Sequence, residues 1–331
     1  MVVRGKWFRR RDMRLLRGSL CVLVVLAGLQ GRVGADDFDS GLAGFTAHMK
    51  SFACPYRVLG VFVSPGEELV VEIDTADRTG AYVCAATQGR VMRRSPYSWV
   101  WSAPQEKGSS RLTLHRSDPV DSMLFRVFVM VPRSQVREGK LNGYRIGRYP
   151  QTAYKGMTNY KPPVGFVEVT RQNENTRLSP HFRLGQFVCK QEGGYPRYVV
   201  IQEELLLKLE LILRRVNEEG IRCGGFHVMS GYRTPYYNAA IGNVKYSRHQ
   251  WGDAADIFVD ENPRDGVMDD LNGDRRINWK DAAVLYDIID AMYGTPVYDP
   301  FVGGLARYRK TERHGPFVHI DVRGFRARWG D

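Results

Sequence analysis

The sequence predicts an α+β protein: an all-β, sandwich-like N-terminal part precedes a C-terminal part with a small antiparallel sheet and flanking helices. Between residues 36 and 150, short runs of β-branched and aromatic residues alternate with turns that contain Gly or Pro. After residue 178, apolar residues recur at helical spacing and then give way to short strand-like runs. A chain of 331 residues has room for two such hydrophobic cores.

The first 35 residues have the composition of a signal peptide. They contain eight of the 48 Lys and Arg residues and one acidic residue, Asp12. The apolar run Ser19–Leu29 that follows is short for a membrane span. Small residues up to Ala35 predict cleavage there and export to the periplasm or the medium. We expect membrane attachment only if this leader remains uncleaved.

The charge of the remaining chain argues against a nucleic-acid partner. The formal net charge of the whole sequence is +12, but residues 36–331 carry 40 basic and 35 acidic residues, a net charge of +5. Nucleic-acid-binding domains usually concentrate their basic residues in one patch. A mildly basic surface is instead compatible with an anionic cell-wall polymer.

Cysteine usage is consistent with export. Beyond the leader the chain has four cysteines, an even number that suits disulfides in an oxidising compartment. Their order favours the pairs Cys54–Cys84 and Cys189–Cys223, one in each predicted domain, although other pairings are open. No Cys-x-x-Cys spacing occurs, which argues against a thiolate zinc site.

Residues 36–150 contain five strand-like runs rich in β-branched and aromatic side chains. These runs are Leu69–Ile73, Ala81–Ala85, Ser98–Trp101, Arg111–Leu114 and Leu124–Val131. Their spacing predicts a small antiparallel sandwich. Residues 151–177 are predicted to form a linker, and their aromatic side chains indicate that it packs against a domain.

Residues 178–331 are predicted to begin with an amphipathic helix, because apolar residues recur at helical spacing from Ile201 to Val216, before Gly220. A second helix is expected after Arg233, since Thr234 and the proline that follows it form a good helix start. Strands are predicted at Asp256–Val259 and at Phe317–Val322.

Two short segments supply a set of metal-binding side chains. Ser247–Asp256 contains a His and an Asp separated by small residues, so the chain can turn tightly between His249 and Asp256. His319 lies on the later predicted strand. Two imidazoles and one carboxylate, with a fourth position open, are the ligand set of a catalytic zinc ion.

The full pattern is Ser-x-His-x-x-Gly-x-Ala-x-Asp, a strand and a later His-x-Asp, preceded by Ser230-Gly-Tyr-Arg233. It resembles the zinc D-Ala-D-Ala carboxypeptidase and endopeptidase family, which includes peptidoglycan hydrolases, vancomycin-resistance dipeptidases and, more distantly, the hedgehog domain. The resemblance covers about residues 179–329. It implies zinc held by His249, Asp256 and His319, and peptidoglycan as the substrate.

The resemblance also implies how other motif residues act. Arg233 is expected to stabilise negative charge on the substrate or to bind its carboxylate, since a guanidinium pairs with two oxygens at once. Ser230, Tyr232 and Ser247 are expected to contact the substrate.

The proton acceptor is the point where this sequence departs from the family. Many relatives carry Glu three residues before the last ligand, where this chain has Pro316. Some endopeptidases of the wider group use a His five residues before that ligand, so His314 is the predicted base. Asp321 and Glu312 are the other candidates.

An insert at residues 265–294 resembles an EF-hand or dockerin calcium loop. Oxygen-bearing side chains occupy loop positions one, three, five and twelve, although Arg275 replaces the usual Gly. The alternative is an Asp- and Asn-rich turn that caps the following helix. The predicted calcium residues are Asp270, Asn272, Asp274, Arg276 and Asp281.

Three functions are consistent with these features. The first is an exported zinc peptidase that acts on peptidoglycan stem peptides or cross-links, as a carboxypeptidase or an endopeptidase. The second is a catalytically weak or inactive zinc protein that binds the cell wall. The third is a structural exported two-domain protein, which would bind no zinc. The first agrees best with the motifs.

Overall fold

A computed structural model describes residues 38–330 of the chain, so the predicted signal peptide, Cys21 within it and the cleavage site lie outside the described residues. No described helix is both long and apolar enough to cross a membrane. The first nine strands are β1 Leu42–Met49, β2 Phe52–Tyr56, β3 Val58–Val63, β4 Glu68–Ile73, β5 Tyr82–Ala86, β6 Arg90–Ser95, β7 Ser98–Ser102, β8 Gly108–Ser117 and β9 Val120–Val129.

These nine strands form two sheets, with the orders β2-β1-β4-β7-β6 and β3-β9-β8-β5. Alternate residues of β4 and of β8 are buried, as expected when one face of each sheet packs on a shared core. The rings of Phe45 and Tyr82, one from each sheet, lie 5.2 Å apart between centroids. The predicted sandwich-like fold is therefore confirmed, except that β3 and β9 pair in parallel.

Five short strands connect the sandwich to the C-terminal region. They are β10 Val131–Pro132, β11 Lys140–Leu141, β12 Tyr144–Arg145, β13 Gly165–Val169 and β14 Arg197–Val199. Three of them form the small sheet β10-β13-β14, and β11 pairs with β12.

The C-terminal region contains three helices and one five-stranded sheet, as the α+β prediction requires. Its elements are α1 Glu203–Glu218, β15 His227–Ser230, α2 Pro235–Ala240, β16 Ala254–Phe258, α3 Trp279–Asp290, β17 Gly304–Tyr308, β18 Phe317–Asp321 and β19 Ala327–Gly330. The strand order is β15-β16-β18-β17-β19. All pairs are antiparallel apart from β17 and β19, which is a small departure from the predicted antiparallel sheet.

Helix α1 is buried on nearly all sides. It packs against β3 of the sandwich on one side and against α3 on the other, so the apolar run Leu205–Leu213 has little contact with solvent. The helix ends at Glu218, and Gly220 follows in the left-handed conformation with φ +85°. The predicted helix and its glycine stop are confirmed.

Glu203 joins the start of α1 to the sandwich. Its buried carboxylate accepts hydrogen bonds from Lys50 Nζ at 2.6 Å and from the Phe62 backbone N–H at 3.0 Å. Lys50 lies in the turn between β1 and β2, and Phe62 lies on β3, so both donors belong to the sandwich. The predicted domain boundaries, with a linker at residues 151–177 and a C-terminal domain from residue 178, stay a prediction.

Neither predicted disulfide is formed, and Cys54, Cys84, Cys189 and Cys223 are free thiols. Cys54 lies on β2 and Cys84 on β5, which are edge strands of different sheets. Cys189 lies near Thr234 at the start of α2, whereas the Cys223 N–H donates to Asn217 near the end of α1. The structure therefore does not contain the predicted pairs Cys54–Cys84 and Cys189–Cys223.

The Glu203 contacts predict a specific loss of stability. Glu203→Ala should lower the free energy of unfolding by about 1–3 kcal/mol, because the buried Phe62 N–H loses its acceptor. Glu219→Ala, which breaks an exposed pair with Arg215, should cost less than about 1 kcal/mol. Urea denaturation of both variants measures the difference, and equal losses would contradict a buried link between α1 and the sandwich.

Candidate active site

The register of the C-terminal sheet places two of the predicted ligands side by side. β16 and β18 pair so that Asp256 lies directly opposite His319. Opposed residues on neighbouring antiparallel strands have Cβ atoms about 4.5–5.5 Å apart. The side chains meet, with His319 Nδ1 2.8 Å from Asp256 Oδ1, and both are buried.

His249 reaches the same point from a short 3-10 turn, Arg248–Trp251, just before β16. The turn ends at Gly252 in the left-handed conformation, where a Cβ would lie 2.2 Å from the Val200 carbonyl oxygen. Glycine is therefore required there. The turn brings His249 Nε2 to 3.2 Å from the nearest oxygen of Asp256 and also 3.2 Å from Nδ1 of His319.

Each imidazole has a hydrogen-bond partner on the side that faces away from Asp256. His249 Nδ1 lies 2.6 Å from the Gly231 carbonyl oxygen, which can only accept, so Nδ1 is the donor. His319 Nε2 faces a carboxylate oxygen of Asp321 at 3.2 Å. With a proton on each of these far nitrogens, the lone pairs on Nε2 of His249 and Nδ1 of His319 face Asp256, as metal binding requires.

The spacing of these three ligand atoms fits zinc. Tetrahedral coordination with bonds of about 2.0–2.1 Å separates neighbouring ligand atoms by about 3.3 Å. The three separations here are 3.2, 3.2 and 2.8 Å. Within residues 38–330, His249, Asp256 and His319 are the one group of three or more His, Cys, Asp and Glu side chains that could hold a metal ion.

Two of the three side chains at the centre already have the charge that metal binding requires. Burial alone would raise the pKa of Asp256, but His249, His319 and Arg233 hold this pKa well below its ordinary value. Burial lowers the pKa of His249, which keeps its imidazole neutral. Burial opposes the charged form of His319 too, yet its hydrogen bonds to Asp256 and Asp321 raise its pKa. An ionised carboxylate and a neutral imidazole are the forms in which these groups bind a metal.

Asp321 lies behind His319, away from Asp256, and is fully buried. Its carboxylate accepts hydrogen bonds from the Gly304 N–H at 2.7 Å and from Arg323 Nε at 2.9 Å. A Cβ at Gly304 would lie 2.4 Å from this carboxylate, so the close approach requires glycine. Burial would raise the pKa of Asp321, but His319 and Arg323 hold it far below its ordinary value. This enclosure suits a group that orients His319.

Several supporting residues were not found by sequence reasoning. Arg248, beside the ligand His249, forms a buried ion pair with Asp253 in which Nε donates at 3.0 Å. Lys208 of α1 is fully buried and donates to the backbone carbonyl oxygens of Phe301 at 3.0 Å and Asp321 at 2.8 Å. Burial lowers the pKa of Lys208 to about 7. A lysine inside the apolar run of α1 was the available signal.

A cleft of about 730 Å³ opens over the three ligands, and the predicted residues Arg233, Ser247 and His314 line it. Arg233 donates from Nε to Ser230 Oγ at 2.8 Å and from its guanidinium to Asp256. The other residues of the lining are Tyr154, Tyr160, Met229, Asn243, Val244, Lys245, Tyr246, Arg248, Tyr308, Phe317, Arg323 and Trp329.

Two predicted substrate contacts lie outside this lining. Ser230 is half-buried and its hydroxyl is used by Arg233, so it orients the guanidinium. Tyr232 is almost fully buried, and its hydroxyl is 2.8 Å from that of Tyr149. Both side chains therefore support the cleft from behind.

His314 lies in the loop that precedes β18, where it lines the cleft. Its ring packs edge-on against Phe317 at 5.0 Å between centroids. Its Nδ1 lies 2.8 Å from the Gly315 carbonyl oxygen, so Nδ1 donates and Nε2 keeps the lone pair of the neutral ring. Glu312, another candidate base, is exposed and is not part of the lining.

In the predicted calcium loop, the aspartate side chains accept hydrogen bonds from backbone N–H groups of the loop itself. Asp270 accepts hydrogen bonds from the N–H groups of Gly273 at 2.8 Å and Arg275 at 2.6 Å. Arg275 has φ +61°, the left-handed conformation that Gly usually adopts at this loop position. Asp281 accepts from the Asn278 N–H at 2.7 Å and caps α3. Both the calcium loop and the helix-capping turn fit this geometry, so calcium stays a prediction.

Comparisons with known proteins agree with the chemistry of the site. The family model for Peptidase M15 matches residues 190–273, about a quarter of the chain. The matched segment contains Arg233, His249 and Asp256, and it ends before His319. A search of the curated proteins found no match.

The environment of Asp321 predicts its effect on metal binding. Asp321→Asn should weaken zinc binding about 10–100-fold, because the charge that orients His319 is lost. Asp290→Asn is the matched control, since Asp290 pairs with Arg326 and Arg328 away from the ligands. Competition with a zinc-binding dye measures both affinities. Equal affinities would show that Asp321 does not act through His319.

Proposed function

We propose that this protein is a zinc peptidase of the Peptidase M15 type that hydrolyses peptide bonds in peptidoglycan, since the model of that family matches residues 190–273. The proposed substrates are stem peptides or their cross-links, cleaved by carboxypeptidase or endopeptidase action. The supporting observation is the zinc-compatible spacing of His249, Asp256 and His319 at the floor of an open cleft. A metal centre that can be reached by substrate suits catalysis better than structural support.

His249, Asp256 and His319 would hold the zinc. When bound, zinc acts as a Lewis acid that polarises a carbonyl group and makes water more acidic. Gly231 and Asp321 bind the far nitrogens of the two imidazoles and so orient the rings for the metal. Little reorganisation is then needed when the metal enters.

Arg233 supplies positive charge next to the metal centre. Two of its contacts, to Ser230 and Asp256, fix the guanidinium in place. A guanidinium has more N–H groups than these contacts use, and Arg233 lines the cleft. It can therefore bind a substrate carboxylate or stabilise negative charge that develops on the carbonyl oxygen.

His314 takes and returns the proton in this proposal. With Nδ1 as the donor to Gly315, its Nε2 has the lone pair that can accept a proton. It would accept a proton from the attacking water and donate one to the leaving amine. Pro316 leaves no carboxylate at the position that many relatives use.

Digestion of purified peptidoglycan tests the proposal. His249→Ala should lose both zinc and activity, whereas His314→Ala should keep zinc and lose about 10²–10⁴-fold in rate. His115→Ala, on the sandwich surface beside Ser122, is the control histidine and should change neither. Mass spectrometry of the released fragments identifies the bond that is cleaved.

The same assay separates the competing functions. Zinc binding without fragments from the wild-type protein would favour the wall-binding alternative. Absence of zinc binding would favour the structural one. Wild-type activity in His314→Ala would show that another group accepts the proton.

Action on peptidoglycan also requires export, which the predicted signal peptide would provide. We propose a periplasmic or secreted location on the basis of the leader sequence alone.

A calcium ion in the loop Asp270–Asp281 is proposed as a second, structural cofactor. An exported protein meets abundant calcium, so weak binding at about 10⁻⁴–10⁻³ M would suffice. Calcium should then raise the melting temperature of the wild type, and Asp274→Ala should remove this shift. Equal shifts in the two proteins would leave the loop as a helix-capping turn.

A further inference from the structure

Part of the cleft lining comes from the segment 149–161, which precedes the residues that match the family model. Tyr154 and Tyr160 of this segment line the cleft together with the three zinc ligands. Tyr246, three residues before the ligand His249, lines it beside them. We call Tyr154, Tyr160 and Tyr246 the tyrosine wall.

The tyrosine wall is attached to the turn that carries His249. The Tyr246 hydroxyl donates to the Thr152 carbonyl oxygen at 3.2 Å. Arg248 donates to the carbonyl oxygen of Asn159 at 3.1 Å, and the Trp251 indole N–H donates to that of Lys161 at 3.0 Å. Three hydrogen bonds therefore hold the wall in register with the metal centre.

Ring contacts join the three tyrosines of the wall, and two of the rings stay accessible. The Tyr154 ring lies 5.3 Å from Tyr160 and 5.2 Å from Tyr246 between centroids. The guanidinium of Arg248 stacks 4.1 Å from the centroid of Tyr160, which is nearly fully buried. Tyr154 and Tyr246 are half-buried and offer apolar surface to a ligand in the cleft.

The charges along the cleft favour an anionic ligand. Asp256 is the only acidic residue of the lining, and it is a predicted zinc ligand. The lining arginines 233, 248 and 323 each pair with an aspartate. Lys245 is exposed, its Nζ lies 5.4 Å from the Tyr246 centroid, and no carboxylate of residues 38–330 forms an ion pair with it.

We propose that the tyrosine wall and Lys245 form a subsite for a substrate residue that bears a free carboxylate. This subsite deepens the proposed function and rests on it, since acidic side chains and α-carboxylates occur along peptidoglycan stem peptides. The carbon chain of that residue packs on Tyr154 and Tyr246, and its carboxylate pairs with Lys245. The subsite selects stems whose carboxylate has not been converted to an amide.

The subsite can be tested with two synthetic stem peptides that differ only in the group proposed to pair with Lys245. This group is a carboxylate in one peptide and a carboxamide in the other. The wild-type protein should show a kcat/KM about tenfold higher for the carboxylate peptide. Lys245→Met should remove this preference by lowering only the carboxylate value. Tyr154→Ala should raise KM for both peptides, since it removes the shared apolar contact.

Lys155→Met is the matched control. Lys155 belongs to the same segment and its Nζ lies 5.3 Å from the Tyr154 centroid, but it does not line the cleft. This variant should keep the wild-type preference. The preference should also shrink in about 0.5 M salt, because an exposed ion pair is screened.

Calorimetric binding of both peptides to zinc-free protein separates this proposal from the proposed function. Tighter binding of the carboxylate peptide that depends on Lys245 supports the subsite, even if neither peptide is cleaved and the peptidase proposal fails. Equal binding and equal cleavage of the two peptides would overturn the subsite and leave the peptidase proposal intact. A preference that Lys245→Met retains would overturn it as well.

Discussion

The carboxylate of Asp256 is the group around which the site is organised. One of its oxygens faces both imidazoles, and the other accepts from Arg233. An ionised carboxylate buried without partners would cost several kcal/mol. The predicted metal ion, the Arg233 guanidinium and the two imidazoles therefore all contact the same buried charge. The sheet register that positions this charge also positions His319.

Burial of this charge explains the polar groups beneath the cleft. Arg248 with Asp253, next to His249, and Arg323 with Asp321, next to His319, form two ion pairs that flank the ligands. Lys208 of α1 donates to the backbone carbonyl oxygen of Asp321. This hydrogen bond links α1 to β18, the strand that carries His319. Unpaired charges in such a low-dielectric environment would be strongly destabilising, so these groups occur as satisfied pairs.

Sequence reasoning found the parts of this arrangement that are local. The His and Asp spacing, the helix from Ile201 and the alternation of the sandwich strands each depend on neighbouring residues, and the structure contains them. It missed Lys208, which contacts Asp321 only after the chain has folded. It also paired Cys54 with Cys84 by their order along the chain, whereas their strands lie in different sheets. Contacts made by tertiary packing leave no fixed spacing in a single sequence.

Anomalous diffraction at the zinc absorption edge, from crystals grown with zinc, is the direct test of the metal centre. We expect one strong peak about 2.0–2.2 Å from Nε2 of His249, Nδ1 of His319 and an oxygen of Asp256. Coordination through Nε2 of His319 would contradict the orienting role of Asp321. A peak at another group of residues, with none at these three, would contradict the metal centre itself.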